Sequence, residues 1–219
     1  MQLRKFGHSC LLLEESGEQI LFDPGLPDFL HRLATPDAFV SVSLVVITHW
    51  HPDHADVGLI RAIAQRSGAT VLCTPEGEME LRDAGVDASV PKMGRSSFGK
   101  FTIHTILAPH AAVLGSAAPQ NLAYLINDRL LNPGDSFDVA LEECRGVAAL
   151  ALPVAAPWGT ELEAAAFAAR LKPHRIVPVH DGYFRDFFRT RRYEAFRKHF
   201  DKGGMSFETG AGPETALEI

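Results

Sequence analysis

Residues 45–54 read VVITHWHPDH, an apolar run that ends in three histidines and an aspartate within six residues. The run that begins at Leu44 has no polar alternation, which is the pattern of a strand covered on both faces. A strand of that kind needs a layer on either side of it. Where it stops, His49 and His51 stand two apart and can converge on one ion. Asp53 and His54 follow at the expected start of a helix and can turn toward a second. Neutral imidazole and carboxylate donors suit zinc, manganese or iron far better than calcium or magnesium.

Working outward, short strands are predicted over 3–6, 10–14 and 19–22, the last stopped by Asp23-Pro24-Gly25. An irregular excursion covers 26–40. After the quoted stretch the spacing predicts a helix over 56–65, a strand over 70–73 and a helix over 76–84 stopped by Gly85. A second cycle then begins. Strands are expected over 101–108, 122–126 and 129–131, with Asn127-Asp128 turning a hairpin between the last two. A strand over 147–152, a helix over 161–171 and a strand over 176–179 follow. A basic helix over 186–200 comes next, and 205–208 with 217–219 close the sheet. Phe184, Phe187, Phe188, Tyr193, Phe196 and Phe200 read as a single apolar stripe on that last helix. Strand groups occur twice, each followed by helices. The expectation is one α/β domain spanning 1–219, with two sheets packed together and helices outside.

Three further side chains share a position: each ends a hydrophobic strand. His110 closes FTIHTILAPH, Asp135 closes LLNPGD and His180 closes RIVPVH. In α/β folds the space beyond the carboxyl ends of strands is where sites gather. His31, His174 and His199 lack partners in the sequence and read as structural residues. His104, in mid-strand, reads as a core or surface histidine.

Composition bounds the rest. The chain has 219 residues, 46% hydrophobic and 22% charged, in the range of ordinary globular proteins. A formal charge of −6 argues against nucleic acid as the main partner. No apolar run approaches a membrane span. Cys10, Cys73 and Cys144 form no CxxC pair, and the N-terminus carries no signal-peptide pattern, so a reducing cytoplasm is expected. A homo-oligomer is compatible with the sequence.

THWHPDH, then APH, NPGDS and PVHDG in that order, resembles the metallo-β-lactamase fold superfamily, whose hallmark is a four-layer αββα sandwich with a dinuclear site on one edge. FGHSCLLLE and LFDPG further resemble the branch that includes ascorbate-6-phosphate lactonase. The resemblance implies a first divalent ion held by His49, His51 and His110. It implies a second held by Asp53, His54 and His180, with Asp135 bridging. The ions expected are zinc or manganese, with iron the alternative.

Water on such ions loses a proton near neutral pH, and the residual positive charge favours a substrate that is anionic or becomes so. The expected function is therefore hydrolysis of a small anionic lactone, ester or phosphodiester, with Asp53 orienting the nucleophile. The resemblance places His8 beside the metals, to orient substrate or protonate a leaving group; the other reading is a histidine that only caps the hairpin. Asp23 is a candidate to hold one ligand imidazole by its second nitrogen, or only to stabilise its own turn. Trp50 is a candidate floor of the pocket or a packing residue. Trp158 is a candidate cleft wall, and Tyr183 lies near the same edge. Two alternatives stand beside the hydrolase: a nuclease of the same fold, and a non-hydrolytic iron protein with a redox or sensor role.

Overall fold

The computed structural model describes residues 1–26, 34–115 and 117–219; His31 lies outside them. Strands β1 (Gln2–Gly7), β2 (Cys10–Glu15) and β3 (Glu18–Phe22) form an antiparallel meander. Strands β4 (Leu44–Val46), β5 (Thr70–Leu72) and β6 (Ala88–Ser89) follow as parallel neighbours. Helices α1 (Val57–Ser67) and α2 (Pro75–Asp83) make the crossovers.

The second half opens antiparallel, with β7 (Gly94–Phe98), β8 (Phe101–Leu107), β9 (Leu122–Ile126) and β10 (Leu130–Asn132). Asn127 and Asp128 turn β9 into β10 with φ of 51° and 52°, the left-handed pair that a two-residue hairpin requires. Strands β11 (Ala149–Pro153), β12 (Arg175–Val179) and β13 (Ser206–Phe207) then run parallel. They are linked by α3 (Glu161–Leu171) and α4 (Asp186–Asp201). Strand β14 (Leu217–Glu218) returns to pair with β1. Each sheet has 7 strands, ordered β14-β1-β2-β3-β4-β5-β6 and β13-β12-β11-β10-β9-β8-β7.

Strand periodicity sorts the side chains into layers. Leu11, Leu13, Ile20, Phe22, Leu44 and Val46 of the first sheet meet Phe101, Ile103, Leu122, Tyr124, Val177 and Val179 of the second. On the opposite face of the first sheet, Leu21, Val45 and Ile47 pack beneath Ile60 and Ile63 of α1 and Leu81 of α2. On the opposite face of the second, Leu131, Leu150 and Ile176 pack beneath Phe167 of α3 and Phe196 and Phe200 of α4. Full burial of such side chains is worth roughly 1.5–3 kcal/mol each. The architecture is the αββα sandwich expected from the sequence.

Three local expectations change. Strand β7, GRSSF, has no apolar alternation to announce it; it is a largely exposed sheet edge held by backbone pairing to β8. Helix α1 starts later than expected because Asp56 caps it, accepting from the Leu59 amide at 2.7 Å. Asp53 and His54 therefore lie in the turn ahead of the helix. The aromatic stripe of α4 is also shorter: Tyr193, Phe196 and Phe200 pack on the core, while Phe187 and Phe188 are 71% and 41% exposed. Helical spacing runs back from 193 to Arg189 and Asp186, which leaves the two phenylalanines on another side of the helix. No helix among the described residues is long and apolar enough to cross a membrane.

Candidate metal centre

The site grows from the carboxyl end of β4. Asp23, just beyond β3, accepts the Thr48 amide at 2.8 Å and the Thr48 hydroxyl at 2.9 Å. With its proton given to Asp23, the Thr48 oxygen offers only lone pairs, and His49 Nδ1 lies 3.1 Å from it. Asp23 also accepts from His54 Nδ1 at 2.9 Å. One buried carboxylate thus sets two rings: His49 through Thr48, and His54 directly. Burial raises the Asp23 pKa, opposed by the His54 charge and the hydrogen bonds from His54 and Thr48.

The second sheet supplies the same logic with carbonyls. His110 Nδ1 donates to Ala111 O and His180 Nδ1 to Ala155 O, both at 2.5 Å. Each of these four rings is held through Nδ1, which leaves Nε2 facing inward as the atom a metal would take once that nitrogen is deprotonated. Those Nε2 atoms gather around Asp135. His180, His110 and His49 lie 3.1, 3.5 and 3.7 Å from its Oδ2, and His54 lies 3.5 Å from its Oδ1. His51 Nδ1 comes within 3.1 Å of His49 Nε2.

His49, His51, His110 and Asp135 make one group of converging donor atoms; His8, Asp53, His54 and His180 make the other. His54 Nε2, His110 Nε2 and Asp135 Oδ1 are buried without a hydrogen-bond partner. Orphaned buried donors and acceptors are costly unless something completes them. Divalent cations would, and the donor set fits them.

His8 is held differently from the other rings in its group. Its Nδ1 accepts the Gly182 amide at 3.1 Å, which leaves the proton on Nε2, 3.1 Å from Asp53 Oδ2. Burial pulls the His8 pKa down to about 4, against the pull of the Asp53 hydrogen bond, so the ring is neutral near pH 7. Tyr183 donates to the same Asp53 oxygen at 2.8 Å. Burial opposes ionisation of Asp53, but hydrogen bonds from His180 and His8 outweigh it and hold the carboxyl far below its ordinary range.

His180 moves the other way. Burial works against its charge, yet the Asp135 charge and the hydrogen bonds with Asp135 and Asp53 push its pKa up to about 10. His54 is raised as well, with burial opposing and Asp135 and Asp23 prevailing. Both shifts hold a proton that a cation bound at Nε2 would have to displace. His8, Asp23 and His180 also share a positive φ, 44°, 47° and 60°, uncommon for residues other than glycine and a mark of sites where geometry is imposed.

The remaining candidates divide. Trp158 donates its indole N–H to Asp135 Oδ2 at 2.7 Å, with ring centroids 6.0 Å from His110 and 6.1 Å from His180. Trp50 turns away from the cage. Its ring packs so closely on α2 that a Cβ on Gly77 would fall 2.5 Å from it. The alternation of an extended chain explains this: neighbours of His49 and His51 point to the opposite face. His174 and His199 are exposed, and His104 is half-buried in β8.

Sequence reading missed several organising residues. Buried Asn121 donates to Ala108 O and Pro133 O, both at 2.9 Å, and accepts the Asp135 amide at 3.0 Å. It thereby clamps the loops that carry His110 and Asp135. Lys5, half-buried in β1, donates to Asp181 Oδ2 and Pro178 O, each at 2.7 Å, and Tyr193 donates to the same carboxylate oxygen. This anchors the segment that presents His180, Gly182 and Tyr183. Gly25 lies so close beneath the ligand turn that a Cβ would stand 2.0 Å from Asp53 O. Of these, only the DPG turn leaves a visible trace in the sequence.

A four-layer sandwich with a histidine–aspartate cage at its rim defines a class, and comparison places the chain in it. Residues 2–180 match the beta-lactamase superfamily domain, and the chain belongs to that family. It is 34% identical over 190 residues to Protein Rv0786c of Mycobacterium tuberculosis, an alignment covering 82% of this chain and 84% of that one. It is 31% identical over 193 residues to a UPF0173 metal-dependent hydrolase of Carboxydothermus hydrogenoformans, with the same coverage of 82% and 84%. Among solved structures it superposes on Igni18, described as a metallo hydrolase from Ignicoccus hospitalis, with a TM-score of 0.76 and 22% identity, covering 100% of this chain and 98% of that one. That likeness bears on the fold alone.

Proposed function

We propose that the protein is a dinuclear metal-dependent hydrolase of small esters, lactones or phosphodiesters. His49, His51 and His110 would hold one ion and Asp53, His54 and His180 the other, with Asp135 shared between them. The observation that carries this reading is the convergence of four Nε2 atoms on Asp135, each ring fixed by a separate hydrogen bond behind it. The names of the relatives support the hydrolase class. Zinc or manganese suits this donor set, and iron binding without hydrolysis is the outcome that would favour the redox alternative.

Bound ions would supply an acidified water and polarise the oxygen of the scissile group. The protein's own part is placement. Asp53 lies at the meeting point of His8, Tyr183 and His180 and orients the nucleophile. His8, neutral and donating through Nε2–H, keeps Asp53 in place; it has no imidazolium proton to pass to a leaving group. Trp158 donates its N–H to Asp135 and so fixes the orientation of that carboxylate.

Protein stripped of metal and reloaded with zinc, manganese or iron should be assayed on a panel of esters, lactones, phosphodiesters and cyclic nucleotides. Turnover is expected only after loading, and chelation should abolish it. Asp53→Asn should keep at least one ion and lose about 10²–10⁴-fold in kcat. Turnover that survives chelation, or no turnover with any loaded metal across the panel, contradicts the proposal.

A further inference from the structure

A cleft of about 690 Å³ opens beside the Asp53–His54–His180 half of the centre. Its continuity with the centre is direct. Tyr183, one of its walls, donates to Asp53 at 2.8 Å, and the carbonyl of Ala155, on the facing wall, holds His180 at 2.5 Å. The volume suits a substituent of drug-like size.

What sets its preference is the state of the polar groups that line it. The Thr160 hydroxyl donates to Glu163 at 2.9 Å and accepts the Glu163 amide at 3.2 Å, closing a capping box on α3. Arg192 is paired with Glu161, and its guanidinium lies over Phe184 and Phe188, 5.8 and 5.2 Å from their ring centres. The Tyr183 hydroxyl is given to Asp53. These side chains are already engaged, and the rest of the wall, Val154 to Pro157, Gly159 and Phe184, has no polar side chain. A sugar or polyol placed there would give up water and find few partners, at roughly tenfold in affinity for each hydroxyl left bare. An aliphatic or aromatic group loses nothing by entering.

Resting on the hydrolase reading above, we infer that the substrate is amphiphilic: its reacting ester, lactone or phosphoester group sits at the metal centre, and an apolar acyl, alkyl or aryl group fills the cleft between Ala156 and Phe184. The distal end carries no anion, because Arg192 is already neutralised by Glu161. This narrows the small anionic substrate expected from the sequence to one with charge at one end only.

The test uses the full-length, metal-loaded protein and a series of n-alkylphosphonates from methyl to octyl, with binding followed by calorimetry. Affinity is expected to rise by up to about fourfold per methylene until the cleft is filled, and by at least about fiftyfold over the series. Glucose 6-phosphate should bind more weakly than the octyl compound. Phe184→Asp should flatten the series. Ala156→Trp, which fills the cleft instead of polarising it, should do the same if the first variant folds poorly. A flat series in the wild type, or a slope that both variants leave intact, overturns the inference. If the series rises but no ester, lactone or phosphodiester is hydrolysed, the hydrolase reading fails and only the cleft's preference for an apolar group stands. Turnover with a flat series does the opposite: the hydrolase reading stands and the amphiphilic substrate falls.

Discussion

Asp23 sits one hydrogen bond behind the cage, and the tautomers of two rings depend on it. Asp23→Ala would free His54 Nδ1 and release Thr48, so that both His54 and His49 could present N–H where a lone pair is needed. Removing such a supporting group typically costs 10- to 100-fold in metal affinity. Competition against a chelating dye should read that loss, with the fold kept by circular dichroism. Protons give a second residue-scale test. His180 has a pKa of about 10 in the metal-free cage and must be deprotonated to bind a cation. A proton bound before loading and absent afterwards makes apparent affinity rise with pH, by about tenfold per unit for each proton displaced, at any pH below the metal-free pKa. Calorimetry in buffers of different ionisation enthalpy between about pH 6 and 8 should show one to two protons released per loaded chain. Affinity that does not change with pH would mean that His180 is not a ligand.

At the scale of elements, the centre depends on loops that the strands only aim. The DPG turn after β3 supports the ligand turn by backbone contact: Leu26 N donates to Pro52 O at 2.9 Å and Asp56 N to Pro24 O at 3.1 Å. Gly25→Ala has no room to fit without moving Asp53 and His54, so it should lower metal content and activity together while the sheets stay folded. Lys5→Met strips the buried Asp181 of its charged partner, and breaking a buried pair from one side costs about 3–5 kcal/mol. Chemical denaturation should register it. The strands behind these loops were legible in the sequence because β4, β9 and β11 are uninterrupted apolar runs, as is β12 after Arg175. Strand β7 was not, because an exposed edge strand is held by its neighbour's backbone and carries no apolar signature of its own. The site's first rank was legible because histidines and aspartates at strand ends are rare enough to stand out. Asn121, Thr48 and Lys5 were not, because their roles depend on which loops lie next to them in space, and residue type alone does not encode that.

Seen whole, the cage is a joint between the two sheets. His49, His51, Asp53 and His54 come from the first half of the chain, after β4, while His110, Asp135 and His180 follow β8, β10 and β12 in the second sheet. Ions bound between them would tie the halves of the sandwich together and stabilise the fold, as ligands that bind only the native state do. At free metal about a thousand times Kd the gain is about 4 kcal/mol, or on the order of 10 °C in melting temperature for a chain of this size. Chelation should reverse it. Seven side chains are proposed to form two cation sites sharing Asp135, and native mass spectrometry of zinc- or manganese-loaded protein counts those sites directly. Wild type is predicted to carry two ions per chain. His110→Ala and His180→Ala, each damaging a different half, should each carry no more than one. A wild type that takes up a single ion, or two single variants that still hold two, would contradict the account.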